Sequence, residues 1–192
     1  MYFNTYSYGD FSIMSELRTN RIVPRDGLAS GMSGGIIQVK QTVKTDTFSS
    51  LNEAFTDVTG LSVTITPTRS DSKIMVSYSG CGGSGQNRVG HIRLARVIDG
   101  TTTTDIFVGD QGATTSQARA SSTFVQTNTY FVSSFSGTFI DSPSTTSAVT
   151  YKLQLAAGDQ DYQVHIGRSH DNSNEFSRSK TPSQITVMEV SG

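Results

Sequence analysis

The sequence contains no tryptophan, a single cysteine (Cys81) and four prolines among its 192 residues. One cysteine excludes an internal disulfide and fits a chain made in a reducing cytoplasm. Neither sign of charge dominates: 15 Lys and Arg stand against 16 Asp and Glu, a formal net charge of −1. That balance supplies neither the basic stripe that binds nucleic-acid phosphates nor a polybasic segment for an anionic membrane. No apolar run approaches the ~20 residues of a membrane-spanning helix, so neither nucleic acid nor membrane insertion is expected. The opening MYFNTYSYGDFSIM lacks the basic region and the continuous apolar region of a secretory leader. Good helix formers never accumulate over a window long enough for a stable helix.

What is abundant is hydroxyl: 28 Ser and 25 Thr. Thr, Val, Ile, Tyr and Phe suit pleated, half-buried surfaces, and Ser and Gly punctuate them. The class expected is all-β, in one domain of the usual size, roughly 100–200 residues.

Residues 1–35 read differently from the rest. Tyr2, Phe3, Tyr6, Tyr8 and Phe11 crowd together, and a stretch with Pro24, Gly27, Gly31, Gly34 and Gly35 follows without a regular period. So aromatic a segment is costly to leave in water, which makes it a candidate arm docked on another protein surface. A leader with a stray aromatic cluster is the plain alternative.

From residue 36 the strand signals are dense. IIQVKQTVK (36–44) sets Ile37, Val39 and Val43 against Gln38, Lys40 and Lys44. Further strands are expected in 55–68, in 72–80 (stopped by the glycines that follow), in 89–100 with a tail ending in an Asp-Gly turn, and in 104–110. The run NTYFVSSFSGTFID (128–141) is expected as one long strand with Phe131, Phe135 and Phe139 on one face. Tyr130, Val132 and Ile140 make its other face apolar too, so that one face enters the core and the other meets a neighbour. Strands in 148–158, 161–167 and 183–190 close the chain. Eight to ten strands at this spacing, with no internal repeat, predict one antiparallel β-sandwich of jelly-roll type over 36–192, behind the arm 1–35.

The phrases LRTNRIVPRDGLASGMSGGIIQVKQTVKTDTF (17–48), FTDVTGLSVTITPTRSDSKIMVSYS (55–79), GTFIDSPSTTSAVTYKLQLAAG (137–158) and QITVMEV (184–190) carry a resemblance. They resemble small virion structural proteins, commonly tail-fibre proteins, of tailed phages of cyanobacteria and other marine bacteria. Residues 1–16, 81–88, 109–123 and 167–182 fall outside it. The strand pattern is also similar, at fold level only, to trimeric jelly-roll heads of the tumour-necrosis-factor and complement type. The resemblance implies a homotrimeric tail-fibre or receptor-binding head in the virion. Its arm would hold a tail or baseplate protein, and its end loops would touch a host surface polysaccharide or receptor. The alternatives are a capsid decoration protein gripping the major capsid protein, and a free-standing carbohydrate-binding module.

Within that frame loop 167–182 is the first receptor-contact candidate. Arg168, His170, Asn172, Asn174 and Phe176 mix donors, acceptors and a flat ring of the kind that sugars engage. Other motifs carry less. CGGSGQNRVG (81–90) has glycines after a strand, but a dinucleotide loop needs a helix next and this sequence continues as strand. His91, His165 and His170 lack the i, i+2 or i, i+4 spacing of zinc ligands. DNSNE (171–175) alternates oxygen ligands, yet lacks the glycine and the distal Glu of a calcium loop. Asp110, Asp159 and Asp161 lie in turn-like contexts, and no Gly-x-Ser-x-Gly elbow or nucleophile–base pair is visible. Neither an enzyme, a metal nor a cofactor is expected.

Overall fold

A computed structural model describes residues 35–110 and 116–191. The arm residues Tyr2, Phe3, Tyr6, Tyr8 and Phe11 lie outside the described residues. No helix occurs among the residues that are described; eleven strands do.

The first sheet carries β1 (Ile36–Lys44) and β2 (Phe48–Ser50) along one edge. Next to them come β11 (Ser183–Val190) and β10 (Val164–Ile166), then β4 (Lys73–Gly83), then β8 (Ser133–Asp141). The second sheet runs β3 (Thr56–Ile65), β9 (Val149–Ala157), β5 (Val89–Ile98), with β6 (Thr102–Ile106) and β7 (Ser122–Val125) sharing the far edge. Counting each interrupted pair (β1/β2, β10/β11 and β6/β7) as one strand, both sheets are four strands wide and every strand pairing is antiparallel. With those pairs taken as single strands, the chain crosses between the sheets at every connection except the β5–β6 hairpin, the double Greek key of a jelly roll.

Alternation along each strand builds the core. Ile74, Val76 and Tyr78 of β4, with Ile185 and Val187 of β11, face Ile92, Leu94, Tyr151, Leu153 and Leu155 of the opposite sheet. All are essentially inaccessible to water, and each such side chain contributes about 1.5–3 kcal/mol by burial. The sheets are also joined by a polar clamp. Asp141 at the end of β8 accepts from Arg96 Nη1 at 2.8 and 2.9 Å and from the Tyr151 hydroxyl at 2.7 Å. Burial, and then the Asp141 carboxylate, hold the Tyr151 phenol protonated far above its usual range.

Several expectations are corrected by the fold. β4 does not stop at Gly80 but runs through Gly83. A Cβ at Gly82 or Gly90 would enter the ring of Phe124, so these glycines make room for a core aromatic. β7, which supplies that aromatic, is a four-residue strand in a hydroxyl-rich stretch without a clear period. β8 begins only at Ser133, which leaves Phe131 outside the strand and largely exposed. Phe135 is buried and Phe139 packs on the core, so the expected three-phenylalanine stripe is reduced to two. The outer face of β8 holds Ser134, Ser136 and Thr138, and only Ile140 there is apolar. β1 alternates as expected, but Val39 and Val43 face outward while Lys44 is buried. The reason lies opposite: Glu189 of β11 is fully buried, and its Oε2 needs the Gln38 amide at 2.6 Å.

The predicted Asp-Gly turn is present. Asp99 and Gly100 adopt φ of 52° and 69°, the left-handed pair that matches the twist of the strands they join.

Candidate functional site

The jelly-roll path sends the connections 51–55, 84–88, 126–132 and 158–163 to one end of the sandwich. The hydrogen bonds Ala157 N to Asn52 O, Asn87 N to Gln126 O and Gly158 N to Val89 O lace that end together. Loop 167–182, inserted between β10 and β11, leans on the same end through Asp171 N to Thr129 O at 2.9 Å. The connections 66–72, 99–101 and 142–148 lie at the other end. There Asp99 N meets Ala148 O, and Ser191 N meets Gly35 O.

The loop-bearing end carries two clusters of the same composition. Arg88 lies 4.0 Å over the Tyr162 ring and is held by Asp159 at 2.6 Å. Arg178 lies 3.9 Å over the Tyr130 ring and is held by Asp171 at 2.9 Å. A guanidinium on an aromatic face gains cation–π attraction, and a carboxylate fixes its orientation. The Ser173 N–H, and then the Arg178 guanidinium, keep the Asp171 carboxyl below its ordinary range. Tyr130, Phe131 and Tyr162 remain partly exposed, and Phe176 stands fully in water. Leu51, Asn52, Glu53, Ala54 and Gln160 line a shallow depression beside them.

Between the clusters lies a pair of histidines five residues apart, a spacing outside the metal-ligand pattern. His165 Nε2 is 3.2 Å from His170 Nδ1, which is also 3.1 Å from Gln163 O, and His165 Nδ1 is 2.8 Å from Ser49 Oγ. One arrangement satisfies all three contacts: His170 Nδ1–H donates to Gln163 O and His165 Nε2, and His165 Nδ1–H donates to Ser49. The His165 ring is then neutral. Burial, and then the nearby Arg168 and His170, push His165 down to about 3. Among the described residues no three His, Cys, Asp or Glu side chains gather as metal ligands.

The five receptor-contact candidates separate into two groups. Asn172, Asn174 and Phe176 are exposed at the tip of the loop. Arg168 and His170 sit at its base: Arg168 Nη1 donates to the carbonyls of Ser169 and His170, and His170 faces His165. Asp171 of the DNSNE motif spends its carboxylate on Ser173 N and Arg178. Tyr162, Arg88 and Arg178 were not among the sequence candidates, and Tyr130, expected on a strand face, lies instead in the loop before β8, because each clamp joins residues from loops far apart in the chain.

No protein-family model matches the sequence, and no curated protein matches it. Among solved structures, it is similar to a chain in a structure of infectious bursal disease virus, Gx strain, at 11% identity and a TM-score of 0.40. It is similar also to one of the Gt strain at 14% identity and a TM-score of 0.42. Each match covers 88% of this chain and 44% of the other, so this chain spans less than half of their length.

Proposed function

We propose that this chain is a non-catalytic virion structural protein of a tailed phage, a homotrimeric tail-fibre or receptor-binding head. In this reading the arm 1–35 fastens it to a tail or baseplate protein, and the loop end meets a polysaccharide or other receptor on the host surface.

One observation carries the reading. Gly35, where the preceding segment joins the sandwich, lies beside Ser191 at one end of the jelly roll, and the arginine–aromatic loops gather at the opposite end. The eleven residues of β4, which runs between the two ends, make that separation about 36 Å at ~3.3 Å per residue. Attachment at one end and recognition at the other is the layout a fibre head needs, and exposed rings beside oriented guanidiniums suit the flat faces and hydroxyls of sugars.

The test replaces Asn172, Asn174 and Phe176 together by alanine. None of them enters the core, so the variant should fold and enter particles, which should then adsorb to host cells at least tenfold more slowly. Normal adsorption would exclude the loop tip. If altering the Tyr130 and Tyr162 loops also left adsorption unchanged, a capsid decoration protein would become the better reading.

A further inference from the structure

The two sheets present outer faces of opposite character. Across the second sheet a polar chain satisfies itself from edge to edge. Asp105 accepts from Arg93 at 2.9 Å, Arg93 Nε donates to Gln154 at 2.8 Å, and Asp57 takes Gln154 at 2.6 Å and Lys152 at 2.8 Å. Such a face is suited to water.

The first sheet differs. Its register places Val39 opposite Met188, Met188 opposite Met75, and Met75 opposite Ile140. One apolar row therefore crosses all four strands on the outside, with Val39 51% and Ile140 61% exposed at its ends. On one side of it runs a row of Gln41, Thr186, Ser77 and Thr138; on the other lie Ile36, Val190 and Lys73, whose ammonium donates to Ser142.

The row continues round an edge. Among the described residues β8 has no strand on its far side, and Ser133–Asp141 contains neither of the Lys and Pro residues that commonly guard an open edge. Beside it Phe107 adopts a φ of 53°, a left-handed conformation that strains a bulky residue, and stacks on Phe139 at 5.4 Å while remaining 39% exposed. Strain of that kind persists where it places a side chain for use.

We propose that a second copy of this chain covers this surface, edge on face: Ile140, Phe139 and Phe107 of one copy press on Val39, Met188 and Met75 of the next. The inference rests on the reading of the chain as an assembling subunit and names the surface that does it. Three arguments favour a second copy. The surface is nearly uncharged, so like meets like without repulsion. Four strands at ~4.8 Å by eight residues at ~3.3 Å give a face of roughly 500 Å² before side-chain relief. That lies just under the roughly 600–1,000 Å² that one partner brings to a specific interface. Finally, face on identical face would stop at a pair, whereas edge on face is heterologous and closes a ring where the rotation between copies closes.

Sedimentation of the full-length protein at micromolar concentration tests this, with Ile140→Lys and Val39→Lys as separate variants and Thr64→Lys, on the polar sheet, as control. Circular dichroism confirms folding; two independent sites guard against one variant misfolding. The wild type and the control should sediment as three copies, and each of the two variants as a folded monomer. A trimer that survives both substitutions overturns the proposed surface and leaves the assembly reading standing. A monomeric or dimeric wild type overturns both.

Discussion

At His165 the fold buries an imidazole near the Arg168 guanidinium, and its pKa falls to about 3 from an ordinary value near 6.5. Between those values the unfolded chain binds a proton that the folded chain refuses. Stability therefore falls as pH drops from about 6.5 toward 3, with a slope of up to about 1.4 kcal/mol per pH unit. Glu189 adds to the loss at lower pH. Burial alone would raise its carboxyl, but hydrogen bonds from Gln38 and Thr68 bring it below the ordinary range, so its contribution fades as it is protonated. Urea midpoints at pH 7.5 and pH 5 should differ clearly for the wild type, whereas His165→Asn should be less stable at pH 7.5 and should vary less between the two, the remaining slope coming from His91, whose pKa burial also lowers. The Arg96–Asp141–Tyr151 clamp gives a second expectation. Asp141→Ala leaves a mostly buried guanidinium unpaired and should cost about 3 kcal/mol. Tyr151→Phe removes one hydrogen bond and should cost about 1 kcal/mol. Equal losses in denaturant unfolding would show that the clamp does not act through its charge. None of these roles was legible in the sequence, where a histidine, an aspartate and a tyrosine carry no sign of what will surround them.

Among the elements, those with a strong local signal were legible and those made by tertiary contact were not. β11 matches its predicted span 183–190, because Ile185 and Val187 alternate cleanly with polar residues. β7 is recognisable only through its pairing with β5, and the glycines of β4 read as a stop until Phe124 arrives to fill the space above them. That ring sits between Gly82 and Gly90 and stacks on Phe135 at 6.0 Å. Gly90→Ala should destabilise the domain by about 2 kcal/mol through overpacking. In a Phe124→Leu background the same change should cost less, because the smaller side chain yields the space. Strict additivity in that double-mutant cycle would mean that Gly90 is required for its backbone rather than for the ring. The loops followed the same division. Loop 167–182 was identifiable from its length and polarity, but which of its residues turn outward depended on the carbonyls that Arg168 serves and on the neighbouring 126–132 loop.

For the whole molecule, the jelly roll imposes a polarity that composition cannot express. Alternate crossings between two sheets sort the connections into two ends, placing Gly35 and Ser191 at one and the Arg88–Tyr162 and Arg178–Tyr130 clusters at the other. The all-β class and the sandwich could be read from strand spacing; this polarity could not, since it depends on which strands pair. A head so built should stand on the particle with its chain-entry end inward and its aromatic loops outward. The most direct measurement is a cryo-EM map of the intact particle, into which this jelly roll is fitted. The account predicts three copies about a threefold axis at the tail, with Gly35 toward the tail body and Phe176 toward solvent. Density for the domain on the capsid shell, or fitted with the 167–182 loop buried against the particle, would contradict it.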